Sequence, residues 1–525
     1  MLNKFFRFIN TIRYLRPIQI YFQVLYKLRL SRFFFIFFKK NFKITNKLIW
    51  KNYILNEISY KNKNSFEFLN LSHDFGKKID WNYDGKNLLW LYNLNYFNYL
   101  NQYGITKDIG KGLINDYIKN YKSLKSGLDS YPTSLRIINF IKFISIFNIY
   151  DKKIIKIIRY DSERLYYNLE YHLLANHLLE NAFALFFSSM FFDDNRYLVK
   201  SLNIIKNQLN EQIHNDGGHY ELSPMYHKII LVKILDLINL IRLNNKKSLF
   251  SFEKYLLSKA SKMLSWLNNI SFSDNSVPLF NDTANKISHN NRDIFLYSEK
   301  LNIKPDNLKL SDSGYRKIVK EKFELILDIG NIGCEYQPGH AHADTFSFQL
   351  NVDNKPLIVD RGISTYDPGK QRNIERSTKS HNTVCVENKN SSDVWSSFRV
   401  GNRARVYNIS ENSSKISATH DGYKSLSCFH TRSWSFSENQ ILIKDKMQSE
   451  NNLNCIAYFH FHPDVSLEKF NDKIQIDKKQ EISFQNFSKI EINEYYYSPQ
   501  FNIFFKAKLV KVHFIELLHS KFSFN

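Results

Sequence analysis

The chain is short of acid. Against 73 lysines and arginines it sets only 50 aspartates and glutamates, a formal net charge of +23 over 525 residues. Such an excess suits polyanionic partners: an acidic polysaccharide, a nucleic acid or an anionic membrane. The abundance of Lys, Asn, Ile, Phe and Tyr is also what AT-rich coding sequence yields, so charge alone does not choose among them. Cysteine is scarce too. Cys334, Cys385, Cys428 and Cys455 form no Cys-x-x-Cys pair, which excludes a cysteine-built zinc module and a dense disulfide framework. No zinc-finger spacing and no RNP string supports nucleic-acid binding, so none is expected.

Long apolar runs are missing as well. The run Phe33-Phe34-Phe35-Ile36-Phe37-Phe38 lies between Arg32 and Lys39-Lys40, far short of the roughly 20 residues that span a bilayer. No uninterrupted apolar segment with a small-residue cleavage site marks a signal peptide. Met1 to Leu30 sets Lys4, Arg7, Arg13, Arg16, Lys27 and Arg29 among apolar side chains. The expectation is a helix packed against the main domain; the alternative is peripheral membrane contact through a basic amphipathic helix.

What is present is a folded chain, 43% hydrophobic and 23% charged, with room for more than one domain. Residues 1–80 read as a basic, aromatic arm. From 81 to 310 the periodicity is helical, with segments near 152–171, 176–190, 196–213, 224–243 and 252–268 joined by short links. Pro132 sits in a first turn ahead of another. Successive helices so connected form helical hairpins. Turn-rich stretches near 305–320 break the pattern. From 311 to 525 short strands separated by Asn, Asp, Gly and Ser clusters predict an antiparallel β-sandwich.

The densest chemistry is Gly339-His340-Ala341-His342-Ala343-Asp344, followed by Asp360 and by His381-Asn382-Thr383. If the first string continues the strand predicted from Thr345, its histidines and aspartate share one face. Imidazoles and a carboxylate suit a borderline cation such as zinc. A hairpin turning at Asp353-Asn354 places Asp360 opposite Ser347, so spacing alone does not gather a shared site. Upstream lie Ala175-Asn176-His177-Leu178-Leu179-Glu180-Asn181 and Asp216-Gly217-Gly218-His219-Tyr220-Glu221-Leu222-Ser223-Pro224-Met225-Tyr226-His227, each opening a helix.

Together, in this order, the four strings resemble the heparinase II/III-like and alginate lyase families of polysaccharide lyases, over roughly residues 85 to 400. The resemblance implies an (α/α) toroid followed by a β-sandwich, and a lyase that cuts a uronic-acid glycan by β-elimination. That chemistry needs donors that neutralise the C5 carboxylate, and groups that remove the C5 proton and protonate the leaving oxygen. Asn176 and His177 fit the first task; a helix cap and a core histidine are their bland readings.

Tyr226 fits proton transfer provided nearby cations depress its phenol. Adjacent helical residues point about 100° apart, so Tyr226 rather than His227 is expected to enter the site. His340 is the catalytic residue expected from the β-domain. His342, Asp360 and His381 match the family's metal positions. They imply one divalent ion, zinc, in a structural role, with Asp344 beside it. Arg136 and Arg376 are expected to hold substrate carboxylates. Arg361 stands where the family's commoner pattern has proline, which affects the loop rather than Asp360.

The resemblance implies a cell-envelope or periplasmic setting; the missing signal peptide leaves the cytoplasm as the alternative. The competing functional reading is a glycan-binding or processing protein of capsule or O-antigen assembly with little lyase activity.

Overall fold

A computed structural model describes residues 2–28 and 48–524; the Phe33–Phe38 run lies outside the described residues. Helices α1 (Leu2–Ile12) and α2 (Pro17–Lys27) precede three short strands, β1 (Tyr60–Asn62), β2 (Ser65–Phe68) and β3 (Leu71–Asp74). Nine more helices follow up to residue 300: α3 (Leu88–Tyr96), α4 (Lys107–Asn120), α5 (Ser130–Ile146), α6 (Lys152–Tyr167), α7 (Ala175–Phe192), α8 (Asn195–Gln212), α9 (Pro224–Leu243), α10 (Phe250–Ile270) and α11 (Asn291–Lys300).

Burial sorts the long helices into two kinds. In α5, α7 and α9 most side chains are buried, Phe183, Phe186, Leu235 and Ile238 among them. Their alternating partners α6, α8 and α10 bury one stripe and expose the rest. A helix apolar all round must be covered all round, whereas an amphipathic one closes an outer layer. The inner and outer rings of a toroid follow from that difference. The helical core begins at Leu48 and takes in Trp50, Phe66 and Phe68, so the later part of the expected arm, from residue 48 on, packs into this domain.

The C-terminal half is antiparallel β-structure. Apart from a short pair, β9 (Val394–Trp395) and β10 (Arg399–Val400), an eight-stranded sheet has the order β11 (Val406–Glu411), β12 (Lys415–His420), β13 (Cys428–Phe436), β14 (Gln440–Ser449), β21 (Leu517–Phe524), β18 (Gln480–Gln485), β17 (Lys473–Ile476), β16 (Leu467–Phe470), with β14 and β21 central. Opposite it lie two four-stranded sheets. One is β4 (Tyr315–Val319), β5 (Phe323–Asp328), β6 (Phe348–Val352) and β7 (Lys355–Ile358). The other has the order β19 (Lys489–Tyr497), β20 (Phe505–Phe514), β15 (Cys455–His460), β8 (Val384–Val386). An isolated bridge between Ile358 and Phe461 joins these two. Trp434, Ile443, Phe459 and Phe522 fill the space between layers, as alternation along half-buried strands requires.

The N-terminal helices lie across both halves. Arg7 pairs with Asp393 at 2.8 Å and Trp395 donates to the Thr11 hydroxyl, while Arg16 stacks on Tyr336 at 3.9 Å. The Tyr26 hydroxyl donates to the carbonyl of Leu169. Among the described residues no helix is long and apolar enough to cross a membrane, and all four cysteines are free and buried.

Two local expectations are corrected. His340, His342 and Asp344 belong to the loop 329–347 between β5 and β6, not to a strand. The hairpin does turn at Asp353-Asn354, but the register slips between Asn351 and Leu350, which brings Ile358 opposite Leu350. Asn382 then wedges in, donating to the carbonyls of Phe348 and Val359 at 2.8 and 2.9 Å. That wedge ends the pairing of the two strands and carries the neighbouring His381 to Asp360.

Candidate active site

The N-termini of the three inner helices open on one side of the toroid. Tyr131 starts α5, Asn176 and His177 start α7, and Tyr226 starts α9 behind the capping hydroxyl of Ser223. Contacts tie the three together: the Tyr131 and His177 rings lie 4.7 Å apart, and Asn176 is bound to Glu221 just ahead of α9. Unpaired N–H groups and the positive end of each helix dipole favour an anion there.

Backbone strain marks the same spot. Leu174 (φ 59°) and Ala175 (φ 50°), consecutive and neither glycine, precede Asn176, and Leu222 (φ 55°) follows Glu221. Such conformations cost of order 1–3 kcal/mol each and persist only where surroundings enforce them. Here Gln212 donates to the Ala175 carbonyl at 3.0 Å, and Tyr315 donates to that of Leu222 at 2.6 Å.

The β-domain supplies the other wall. The His340 ring stacks on Tyr226 with centroids 3.9 Å apart. Its Nδ1 lies 2.9 Å from Asp282 Oδ2. A carboxylate accepts, so Nδ1 carries the proton and Nε2 keeps its lone pair. Nε2 is 3.9 Å from Glu221.

Asp282 is the hub. Arg372 grips both its oxygens, and His342 Nε2 donates to Oδ1 at 2.9 Å. Burial by itself would raise the Asp282 pKa, but Arg372 and the two histidines hold it well below the usual carboxylate range. The Tyr226 hydroxyl lies 3.3 Å from that of Tyr366, and the rings of Tyr366 and Phe398 close around His340 at 5.9 Å.

The sequence expectations fare unequally here. Tyr226 enters the site, whereas His227 turns into the core, 3.0 Å from the Met263 carbonyl. The phenol of Tyr226 is not depressed. Burial pushes it well above its ordinary value, and Tyr366, Asp282 and Glu221 push the same way, because the neighbouring charges are carboxylates rather than cations. Tyr226 therefore rests protonated.

His177 keeps 35% of its side chain exposed, with Nδ1 3.2 Å from Glu170. Burial works to lower its pKa, but Glu170 overrides it and raises the value. Asn176 is no cap: its amide donates to both oxygens of Glu221 at 2.9 and 3.1 Å.

The two arginines are not where a substrate could reach them. Arg136 is fully buried, paired with Asp161 at 2.9 Å and donating to the Gly127 carbonyl at 2.8 Å. Arg376, equally buried, donates to the carbonyls of Ala341, Ser396 and Ser397 and meets no carboxylate. Burial, with Arg372 nearby, brings its pKa down to about 9. Arg136 braces helices, and Arg376 holds the loop that presents His340.

The expected metal ligands come together in part. His342 and His381 have ring centroids 5.2 Å apart, and Asp360 Oδ2 lies 2.7 Å from His381 Nδ1. His342 Nδ1, His381 Nε2 and Asp344 Oδ2 are buried without hydrogen-bond partners. As they stand, no group of three or more His, Cys, Asp or Glu side chains among the described residues is arranged to hold a metal ion.

Sequence reading missed Asp282, Arg372, Tyr366 and Glu170, and quoted Glu221 without giving it a role. The available signal for Asp282 was slight: Asn281-Asp282-Thr283 after the apolar Leu279-Phe280 reads as an ordinary turn. Arg372 lies four residues before Arg376, on one face of the short helix Lys370–Glu375, a spacing that could have linked the two.

Comparison with known proteins agrees with this architecture. Residues 130–311 match the family described as Heparinase II/III N-terminus, and residues 302–516 match Heparinase II/III-like, C-terminal. A heparin-sulfate lyase of Bacteroides stercoris is 26% identical over 251 residues, covering 42% of this chain and 37% of that protein. A second, of Pedobacter heparinus, is 23% identical over 264 residues, covering 44% and 39%. The aligned part is thus well under half of each curated relative.

Among solved structures, a heparinase III has a TM-score of 0.68 at 15% identity, with 98% of this chain and 93% of that one covered. The heparan sulfate lyase HepC of Pedobacter heparinus gives 0.56 at 18% identity, covering 88% and 81%. At such identities the likeness establishes the fold, a helical toroid followed by a β-sandwich. With both of its domains matched in order, the chain belongs to the heparinase II/III-like family.

Proposed function

We propose that this protein is a polysaccharide lyase that cleaves an acidic, uronic-acid-containing glycan by β-elimination. The observation that carries the reading is the Tyr226–His340 stack, with the His340 tautomer set by Asp282, beside the anion-favouring mouth where α5, α7 and α9 begin. The heparin-sulfate lyases among its relatives support the substrate class.

An entering uronate carboxylate meets His177, whose protonated form Glu170 favours, and the amide of Asn176. Glu221 now occupies that amide, so this corner already accepts a carboxylate, and the substrate must displace it. With the carboxylate neutralised, the C5 proton becomes acidic. His340 Nε2 is the free lone pair nearest Tyr226 and takes that proton. Asp282, locked by Arg372, stabilises the imidazolium that forms. Tyr226, whose environment keeps its proton on, gives it to the departing glycosidic oxygen. The roles divide according to what each environment favours, as acid and base assignments do.

The test is to offer a panel of acidic polysaccharides and follow the ultraviolet absorbance of the unsaturated uronate product. The expected result is new absorbance with at least one uronate glycan, and none after its carboxyls are reduced to alcohols. Equal cleavage of the reduced glycan would mean that elimination is the wrong chemistry. Binding without product would leave a glycan-binding protein.

A structural zinc ion belongs to the same proposal. The donor set suits it: His342 offers an unpartnered Nδ1, and Asp360 and His381 share one proton that a cation would displace. The bound ion would tie the loop of His340 to the sandwich. Purified protein is expected to carry about one equivalent of zinc, and His342→Ala to lose it together with thermal stability. Protein that is metal-free and melts at an unchanged temperature after chelation would remove the ion from this account.

A further inference from the structure

Away from the cleft, a groove of about 530 Å³ lies at the second four-stranded sheet, under the loop 374–380. Four cations line it: Arg361, Lys379, Lys506 and Lys511. Its two carboxylates, Glu491 and Glu494, already pair with lysines outside the lining, Lys489 and Lys508. No carboxylate among the described residues lies within ion-pair distance of the four. Lys379 has only a neutral partner, the Asn388 side-chain oxygen at 3.0 Å. Arg361 is mostly buried, and its Nε lacks any hydrogen-bond partner.

Aromatic rings stand beside these charges. In the strand register Lys511 lies directly across from Tyr458, and Lys506 from Tyr496. Tyr496 is 49% exposed, a flat apolar face with a wet edge. Long lysine stems cover apolar surface while their ammonium groups stay hydrated, and a tyrosine ring offers contact area at little entropic expense. Four cations against two carboxylates, set beside ring faces, match a chain of sugar rings that carries regularly spaced anions. A neutral glycan would leave the charges unanswered, and an apolar peptide would have to desolvate them.

We propose that this groove is a second, non-catalytic subsite for an acidic glycan chain, holding a stretch of polymer outside the cleavage cleft. The choice of ligand rests on the reading of the protein as acting on such glycans. Arg361 forms its floor next to Asp360, so the two sites share one loop but no catalytic side chain.

The test measures binding apart from cleavage. In Tyr226→Phe protein, affinity for long heparan sulfate and alginate chains is read by titration calorimetry. Lys379→Glu, Lys506→Glu and Lys511→Glu are combined in one variant. A control carries Lys444→Glu, Lys446→Glu and Lys521→Glu, exposed on the opposite sheet, with the same change in net charge. The groove variant is expected to bind at least one of the two chains about tenfold more weakly, and the control to stay within about twofold. With Tyr226 restored, the groove variant should cut a short oligosaccharide at the parental rate.

Equal weakening in both variants would reduce the effect to general charge and overturn the subsite. So would unchanged binding in the groove variant, or no binding of either chain by the parent. Groove-dependent binding to a chain that is never cleaved would sustain the subsite while removing the lyase reading.

Discussion

Tyr226→Phe should fold and melt like the parent yet turn over about 10²–10⁴-fold more slowly, the usual share of general acid–base catalysis. The hydroxyl it loses has one protein partner, Tyr366 at 3.3 Å, too long a bond to contribute much to stability. The ring that stacks on His340 remains. Binding of uncut glycan should therefore be preserved, and the loss should fall on the chemical step, measured as single-turnover product absorbance at saturating substrate. Retained turnover would return the acid role to another group, with His227 excluded by its burial.

Asp282 should be the position least tolerant of change. Asp282→Ala leaves the fully buried Arg372 without its carboxylate and strips His340 and His342 of their orienting partner. Removing one member of a buried ion pair costs about 3–5 kcal/mol, so the variant should melt far below the parent or fail to fold.

Asp282→Asn separates the roles. It keeps the shape and part of the hydrogen bonding, but it no longer fixes the His340 tautomer or stabilises its imidazolium. Turnover should fall by about 10⁴-fold, the scale seen when a carboxylate that orients a catalytic histidine becomes an amide. Stability should fall less than in the alanine variant. Thermal melts by circular dichroism and turnover on the same preparations check both halves. An asparagine variant with parental activity would remove Asp282 from the proton-transfer machinery and leave it a purely structural hub.

Sequence pattern carried far where physics is local. The Ser223–Pro224 start of α9 is a capping hydroxyl followed by a first-turn proline, and Tyr226 and His227 were separated by helical geometry alone. The five helix spans read from periodicity between 152 and 268 lie within a few residues of those observed, because the apolar stripe that sets them is local. Histidine content picked out the loop 339–344, although not its conformation: Phe346 (φ 68°) and the turns before it are not written in an alternating pattern.

What failed were inferences that depend on which groups meet across the chain. Arg136 and Arg376 look like surface cations in a basic sequence. Only the fold buries one on Asp161 and the other on three carbonyls.

The sequence by itself determined the two-part architecture, and its motif strings carry a family resemblance that implies Asn176, His177, Tyr226 and His340 as a chemical set. The architecture follows from periodicity, whereas the chemical set follows only from the resemblance of those strings to the family's. Tertiary structure alone decided which charged groups surround that set. Asp282, 58 residues before His340 in the chain, fixes its tautomer, and carboxylates rather than cations surround Tyr226. A pKa is set by charges and burial within a few ångströms, and such neighbours are brought together by chain folding rather than by order along the chain.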